Sequence, residues 1–121
     1  MSPAVGALGL SRDARLRHAR DIQAVFQQGR REERRAFVLL WVPRGGPARA
    51  GFAVSRQIRG AVRRNRARRR LRAVYRGLGP AKLRGVDVVF VARAWALEAP
   101  FDELRAEMAS AHAAVSRNAG A

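Results

Sequence analysis

The sequence predicts one small α+β domain in the element order α-β-β-α-β-α, a sandwich in which helices cover a small sheet. Three observations predict it. The chain has 121 residues, which is enough for one domain. Hydrophobic residues make up 48% of it, so it can bury a modest core and does not have the composition of a disordered basic tail. The spacing of the apolar residues changes between helical and strand periods along the chain.

The first helix is predicted at Arg20–Gln28, where Ile22, Val25 and Phe26 recur on one face. The segment Arg30–Arg35 then reads as a charged connector. No internal repeat or linker divides the chain. We therefore expect a flexible segment at residues 1–10, a single domain at residues 11–117 and a frayed tail at residues 118–121.

Three strands are predicted, at Ala36–Val42, Arg49–Ser55 and Val86–Ala92. The glycine- and proline-rich stretch Pro43–Pro47 between the first two reads as a turn. Along the first strand two apolar sets alternate, so both faces of the sheet should be covered. The two sets are Phe37, Leu39 and Trp41, and Val38, Leu40 and Val42. We expect the first helix to cover part of the second face.

A long basic segment, Arg56–Arg76, is predicted to form the second helix, because apolar residues follow one helical stripe through it. That stripe is Ala67, Leu71, Val74, Tyr75 and Leu78. Pro100 is predicted to open the last helix. Its buried side would carry Phe101, Leu104, Met108, Ala111 and Val115.

The net charge of +16 points to a polyanionic partner, because so cationic a surface repels itself unless anions relieve it. A genome rich in G+C could explain why arginine replaces lysine, but it does not explain the excess over acidic residues. The chain has no cysteine, which is compatible with a cytoplasmic location. No stretch approaches the roughly 18 apolar residues of a membrane span.

The basic segment is the strongest functional signal, because its arginines have no acidic residue among them. They are Arg56, Arg59, Arg63, Arg64, Arg66, Arg68, Arg69, Arg70, Arg72 and Arg76. A solvated helix face usually mixes charges, so this one predicts contact with nucleic acid. Arg64 and Arg68 point towards the apolar side and should emerge at the rim between helix and sheet.

Motifs of the common DNA-binding modules are absent: there are no paired metal ligands for a zinc finger and no sustained heptads for a zipper. A sheet also argues against a helix-turn-helix module. Phe37 and Trp41 could serve as exposed stacking platforms for RNA, but their apolar neighbours favour the core.

The stretch from Gly51 to Arg72, centred on Arg64-Asn65-Arg66, resembles the signature of the bacterial ribonuclease P protein. The first helix of that family is similar to Arg15-Leu16-Arg17 followed by residues 20–29. Its last strand and helix are similar to Val86–Arg93 and Phe101–Leu104. The resemblance runs from about residue 10 to residue 115.

The resemblance implies that the chain is an accessory subunit of an endoribonuclease. That enzyme removes the 5′ leader of precursor tRNA, and its catalyst is an RNA. It implies a left-handed βαβ crossover through the basic helix, as in a ribosomal protein domain, and Mg²⁺ held mainly by the RNA subunit. The implied partners are the catalytic RNA and precursor tRNA, with no membrane. The RNA-subunit set would be Arg64, Asn65, Arg66, Arg68, Arg69, Arg70 and Arg72.

The resemblance also implies a cleft for the single-stranded leader between the first helix and the sheet. Its residues would be Ile22, Phe26, Leu40, Ser55 and Arg56. The family usually has aromatic residues where Ile22 and Leu40 stand. Because stacking on an aromatic ring contributes about 1–3 kcal/mol per base, Phe26 should be the main platform here.

No catalytic residue and no metal ligand is predicted in the protein itself. Its carboxylates are scattered over different elements, and Asp87 should cap an element or face outward. His18 and His112 are expected on the surface. Two alternatives stay open: a ribosomal or ribosome-assembly protein that binds RNA structurally, and a self-contained protein nuclease.

Overall fold

The computed structural model describes residues 15, 16, 18–78 and 83–119. Three α-helices, four strands and one short 3-10 helix make up this part of the chain. They are α1 (Ala19–Gln28), β1 (Arg30–Glu33), β2 (Phe37–Pro47), β3 (Arg49–Val54), α2 (Ala61–Leu78), β4 (Arg84–Ala92), the 3-10 helix (Ala94–Leu97) and α3 (Phe101–Ala119). Helix α3 continues through residues 118 and 119, beyond the domain end expected from the sequence. The expected flexible segment at 1–10 lies outside the described residues.

The four strands form one sheet in the order β1-β2-β4-β3. Strand β2 pairs antiparallel with both of its neighbours, whereas β3 and β4 pair in parallel. Parallel neighbours need a crossover, and α2 supplies it. The predicted α+β sandwich with a βαβ unit around the basic helix is therefore confirmed, and the left hand of its crossover stays a prediction.

Two local predictions are wrong. The connector predicted at Arg30–Arg35 contains the edge strand β1, which pairs with β2 from Arg30 opposite Trp41 to Glu33 opposite Val38. Charged residues on an edge strand give no apolar alternation to detect. The turn predicted at Pro43–Pro47 is the end of β2, where pairing with β4 shifts register as in a β-bulge.

The sheet has a core on each face, as the alternation along β2 predicts. Phe37, Leu39 and Trp41 belong to the larger core under α2 and α3. The smaller core, under α1, contains Val25 together with Leu16, Val38, Leu40 and Val89. Because Phe37 and Trp41 are at most 1% exposed, they are core residues and not stacking platforms.

Two polar residues expected at the surface are buried instead. Asp87 is 4% exposed, because Arg44 and Arg49 donate hydrogen bonds of 2.7–2.9 Å to its carboxylate. Arg49 also lies 3.5 Å from a carboxylate oxygen of Asp21 on α1, so this network connects α1 to the sheet. His112 is buried against the ring of Tyr75 because its position on α3 faces the aromatic core, whereas His18 is exposed as expected.

Replacing Asp87 by asparagine is expected to lower the free energy of unfolding by about 2 kcal/mol, because two arginines would lose their charged acceptor. Burial alone would raise the pKa of Asp87, but the hydrogen bonds from Arg49 and Arg44 outweigh it and lower that pKa. This stabilisation is complete above the ordinary carboxyl pKa of about 4 and is lost as the pH falls through the lower folded value. Urea unfolding between pH 7 and pH 2 measures both effects. A mutant whose stability equals that of the wild type at pH 7 would contradict the assignment.

Candidate nucleic-acid interface

Helix α2 is fixed to the sheet by the apolar stripe that the sequence predicts. Ala67, Leu71, Val74 and Tyr75 are buried on its inner side. The helix begins just after Gly60, whose φ of +89° lies in the left-handed region that glycine adopts readily. The sheet therefore supports α2 from one side, and its other side carries the arginines.

The arginines of this segment are not neutralised within the described part of the chain. None of those between residues 56 and 76 has a nitrogen within 4.0 Å of a carboxylate oxygen of a described residue. The described ion pairs belong to arginines elsewhere, such as Arg44, Arg49 and Arg93. Helix α2 therefore presents positive charge without internal compensation, which is the pattern of a polyanion-binding surface.

Two arginines of the implied RNA-subunit set are engaged with backbone carbonyls. The Arg64 guanidinium donates to the carbonyl oxygens of Ser55 and Ile58 at 3.1 and 3.0 Å, at the junction between β3 and α2. The Arg70 guanidinium donates to the carbonyls of Ala96 and Ala99. These contacts hold neighbouring segments, so Arg64 lies at the rim as expected while Arg70 is turned inward.

The other members of the set face solvent or line a groove. Asn65, Arg66 and Arg69 are exposed. Arg68 donates a 2.8 Å hydrogen bond to Asn65 Oδ1 and lines a groove with its neighbours on α2. That groove is lined by Val62, Asn65, Arg68, Arg69 and Arg72. Val62 is 80% exposed, which places an apolar contact within a basic groove.

A second groove lies on the other flank of α2. It is lined by Arg63, Arg66, Arg70, Leu97 and Glu98. Arg63 is not in the set implied by the family signature. It is exposed and precedes Arg66 by three residues, so the two share one face of the helix. That spacing is the sequence signal that could have added Arg63 to the candidate site.

Arg70→Ala is expected to destabilise the fold more than it weakens RNA binding. Its guanidinium lies 4.8 Å from the centre of the Phe101 ring and bonds two carbonyls, and burial lowers its pKa with a smaller contribution from Arg66. Loss of these contacts should cost about 2 kcal/mol. Thermal unfolding and RNA titration of the same variant separate the two effects, and an unchanged melting temperature with weakened binding would contradict this role.

The residues of the implied leader cleft lie on α1, on β2 and just after the end of β3. Ile22 lines a cleft beside α1, and Phe26 is 47% exposed on the same helix. Leu40 is only 6% exposed, because the middle of β2 lies beneath α1, and its role in the leader cleft stays a prediction. Ser55 and Arg56 follow the end of β3, where Ser55 Oγ accepts a hydrogen bond from the Gln57 amide.

The cleft beside α1 has an apolar floor from β3 and β4. Its lining is Arg15, Leu16, Ile22, Ala50, Gly51, Phe52, Ala53, Arg72 and Val89. Ala50, Gly51, Phe52, Ala53 and Arg15 were not expected there from the signature. Small residues at alternate positions of an edge strand leave room above it, but the sequence does not reveal which strand lies at the edge.

The described residues contain no group of three or more histidine, aspartate or glutamate side chains placed to hold a metal ion. Most of their carboxylates are engaged with arginines: Asp21 with Arg49, for example, and Asp102 with Arg105. The described part of the protein therefore does not fit a Mg²⁺ site of its own. None of its helices combines the length and apolar character that a bilayer crossing requires.

Comparison with known proteins decides the family. The model of the Ribonuclease P protein family matches residues 10–118. The chain belongs to this ribonuclease P protein family. The ribonuclease P protein component of Symbiobacterium thermophilum is 45% identical over 93 residues, covering 75% of this chain and 81% of the relative. The ribonuclease P protein component of Chloroflexus aurantiacus is 41% identical over 98 residues, which cover 79% of this chain and 73% of that relative.

Solved structures agree with this assignment. The RNase P protein of Thermotoga maritima has a TM-score of 0.70 at 27% identity, covering 80% of this chain and 93% of that one. The RNase P protein of Staphylococcus aureus has a TM-score of 0.68 at 21% identity, and the match covers 80% of this chain and 90% of that one. At this identity it supports the fold alone. The chain is therefore a subunit of an endoribonuclease complex that acts in tRNA processing, with the RNase P RNA as its partner.

Proposed function

We propose that this chain binds the catalytic RNA of ribonuclease P through α2 and holds the 5′ leader of precursor tRNA beside α1. In this way it assists the endonucleolytic removal of the leader, which gives the mature 5′ end of the tRNA. The observation that carries the proposal is the set of arginines on α2 that have no carboxylate partner among the described residues. Guanidinium groups suit phosphate because they can bind it bidentately.

The two faces of the sheet suit two different kinds of RNA. The exposed groups Asn65, Arg66 and Arg69 on α2 fit the closely spaced phosphates of a folded RNA. The cleft beside α1 is smaller than the grooves on α2 and has an apolar floor, with Phe26 exposed nearby. Unpaired bases stack on such side chains, whereas paired bases are not accessible to them.

Catalysis in this proposal belongs to the RNA subunit, with Mg²⁺ held mainly by its phosphates. Most of the described carboxylates are paired with arginines of the protein, and the described carboxylates do not gather into a metal site. The protein supplies positive charge between two polyanions, the RNA subunit and the substrate. It thereby lowers the Mg²⁺ concentration that their association requires.

Reconstitution of the holoenzyme tests the proposal. The purified chain should restore cleavage of a precursor tRNA by the cognate RNA at low Mg²⁺, where the RNA alone is slow. No enhancement at any salt concentration would refute the function. A ribosome-assembly protein would bind tRNA with and without a leader equally, and a protein nuclease would cleave without the RNA subunit.

A further inference from the structure

Two arginines line the cleft beside α1, and the proposed function assigns neither of them to the leader. Arg15 runs beside β3 in a parallel bridge with Ala50, and the Leu16 amide donates a 2.9 Å hydrogen bond to the Ala50 carbonyl. Arg15 and Arg72 both line the cleft beside α1, together with Ile22. The guanidinium groups of two distant parts of the chain therefore converge on one cleft.

Both arginines are partly buried there without an anionic partner among the described residues. The Arg15 Nε is shielded from solvent and has no hydrogen-bond acceptor in the described part of the chain. Burial lowers the pKa of Arg72, and the charges of Arg76, Arg68 and Arg15 lower it further. Like charges held together at a partly buried site are unfavourable unless an anion binds between them.

The remaining lining of the cleft is apolar. It includes Leu16, Ile22 and Ala53. A Cβ atom on Gly51 would lie 3.5 Å from the Leu16 Cβ atom, so the strand and the Leu16 segment already approach each other closely. An apolar floor below two cations fits a nucleotide, with its base on the floor and its phosphate between the guanidinium groups.

Arg72 connects this cleft to the groove on α2. It lines both depressions, and its guanidinium lies 5.4 Å from the centre of the Phe52 ring. An RNA strand that leaves α1 could therefore pass round the β3 edge and remain in contact with arginine throughout. Paired bases cannot reach the apolar lining of this cleft, so the strand that fits is unpaired.

We propose that Arg15 and Arg72 form a phosphate clamp for one nucleotide of the 5′ leader, beyond the nucleotides beside Phe26. The proposal rests on the function proposed above, because it assumes that the unpaired strand at α1 is the leader. It adds a second contact point on that strand and a path from the α1 cleft to α2. Arg15 is the better test of it, since Arg72 also belongs to the RNA-subunit surface.

A neutral-backbone scan of the leader tests the clamp in the reconstituted holoenzyme. Precursor tRNAs would carry one methylphosphonate linkage each, at successive leader positions. Wild-type holoenzyme should lose at least about tenfold in affinity at one position, as expected for one charged hydrogen-bonded contact. Arg15→Ala should bind unmodified substrate more weakly by the same factor, and the neutral linkage at that position should then cost nothing more.

The matched control is Arg117→Ala, which removes an exposed arginine from α3 on the other side of the sheet. Holoenzyme with this variant should lose affinity at the same leader position, and by the same factor, as the wild type. The clamp is wrong if no leader position is sensitive with wild-type protein. It is also wrong if the neutral linkage weakens binding to Arg15→Ala as much as it weakens binding to the wild type. Should Arg15→Ala lower the melting temperature, Arg15→Gln supplies the same comparison with more of the side chain retained.

Phe26→Ala separates this inference from the proposed function. If Phe26→Ala reduces the preference for leader-bearing substrate while the scan is flat, the leader binds at α1 and the clamp is wrong. If neither Phe26→Ala nor any leader modification changes affinity, the leader does not bind this protein and the proposed function itself fails.

Discussion

Replacing Arg66 and Arg69 together by alanine is expected to weaken binding of the RNA subunit by at least about 100-fold, since each charged contact contributes about 1.5–3 kcal/mol. Both side chains are exposed, and neither has a carboxylate partner among the described residues. Each phosphate contact releases about one counterion, so the slope of log K against log salt should flatten by about two. Titration of the RNA subunit at several salt concentrations measures both quantities.

A matched control removes the same charge from α3. Arg105 and Arg117 are exposed there, and replacing both by alanine also lowers the net charge by two. We expect this control to change affinity only a few-fold, through the general field of the protein. Equal losses in the two double variants would mean that total charge, and not the surface of α2, determines binding.

Phe26→Ala is expected to reduce the preference for leader-bearing substrate by about 5- to 100-fold, the equivalent of about 1–3 kcal/mol for one stacked base. The side chain is 47% exposed and lies outside both buried cores, so the fold should tolerate its removal. Affinity for the RNA subunit should stay nearly constant. Dissociation constants for precursor and mature tRNA, measured with the same holoenzyme, give the preference directly.

Phe101→Ala is the control for Phe26. Phe101 is 44% exposed at the start of α3, on the opposite side of the sheet from α1. Its removal should leave the leader preference unchanged, although it loses a contact with Arg70. If Phe26→Ala weakened binding of precursor and mature tRNA equally, Phe26 would contact the tRNA body or hold α1, and not the leader.

The elements with apolar periodicity could be predicted from the sequence, because burial on one face determines their pattern. This holds for α1, α2 and the buried strands. Strand β1 could not be predicted from the sequence, because its side chains are charged and Arg30–Glu33 becomes a strand by pairing with β2. The burial of Asp87 was also unpredictable, because it depends on Arg44 and Arg49, which reach it from other parts of the chain.

The candidate site was predictable as a surface but not residue by residue. Ten arginines without an acidic residue among them, eight of which lie on α2, predict a polyanion-binding surface. Helical angles did not reveal that Arg70 reaches the carbonyls of Ala96 and Ala99, since those lie in a distant segment. The convergence of Arg15 and Arg72 likewise depends on which strand lies at the edge of the sheet.

The identity of the RNA that copurifies with the full chain tests the account most directly. The central claim is that uncompensated guanidinium groups on α2 lie against the RNA that performs the chemistry. Sequencing the RNA recovered with the tagged chain from its native cells, washed at moderate salt, should find the RNase P RNA as the dominant species. Its absence, with ribosomal RNA in its place or no RNA bound, would contradict the claim.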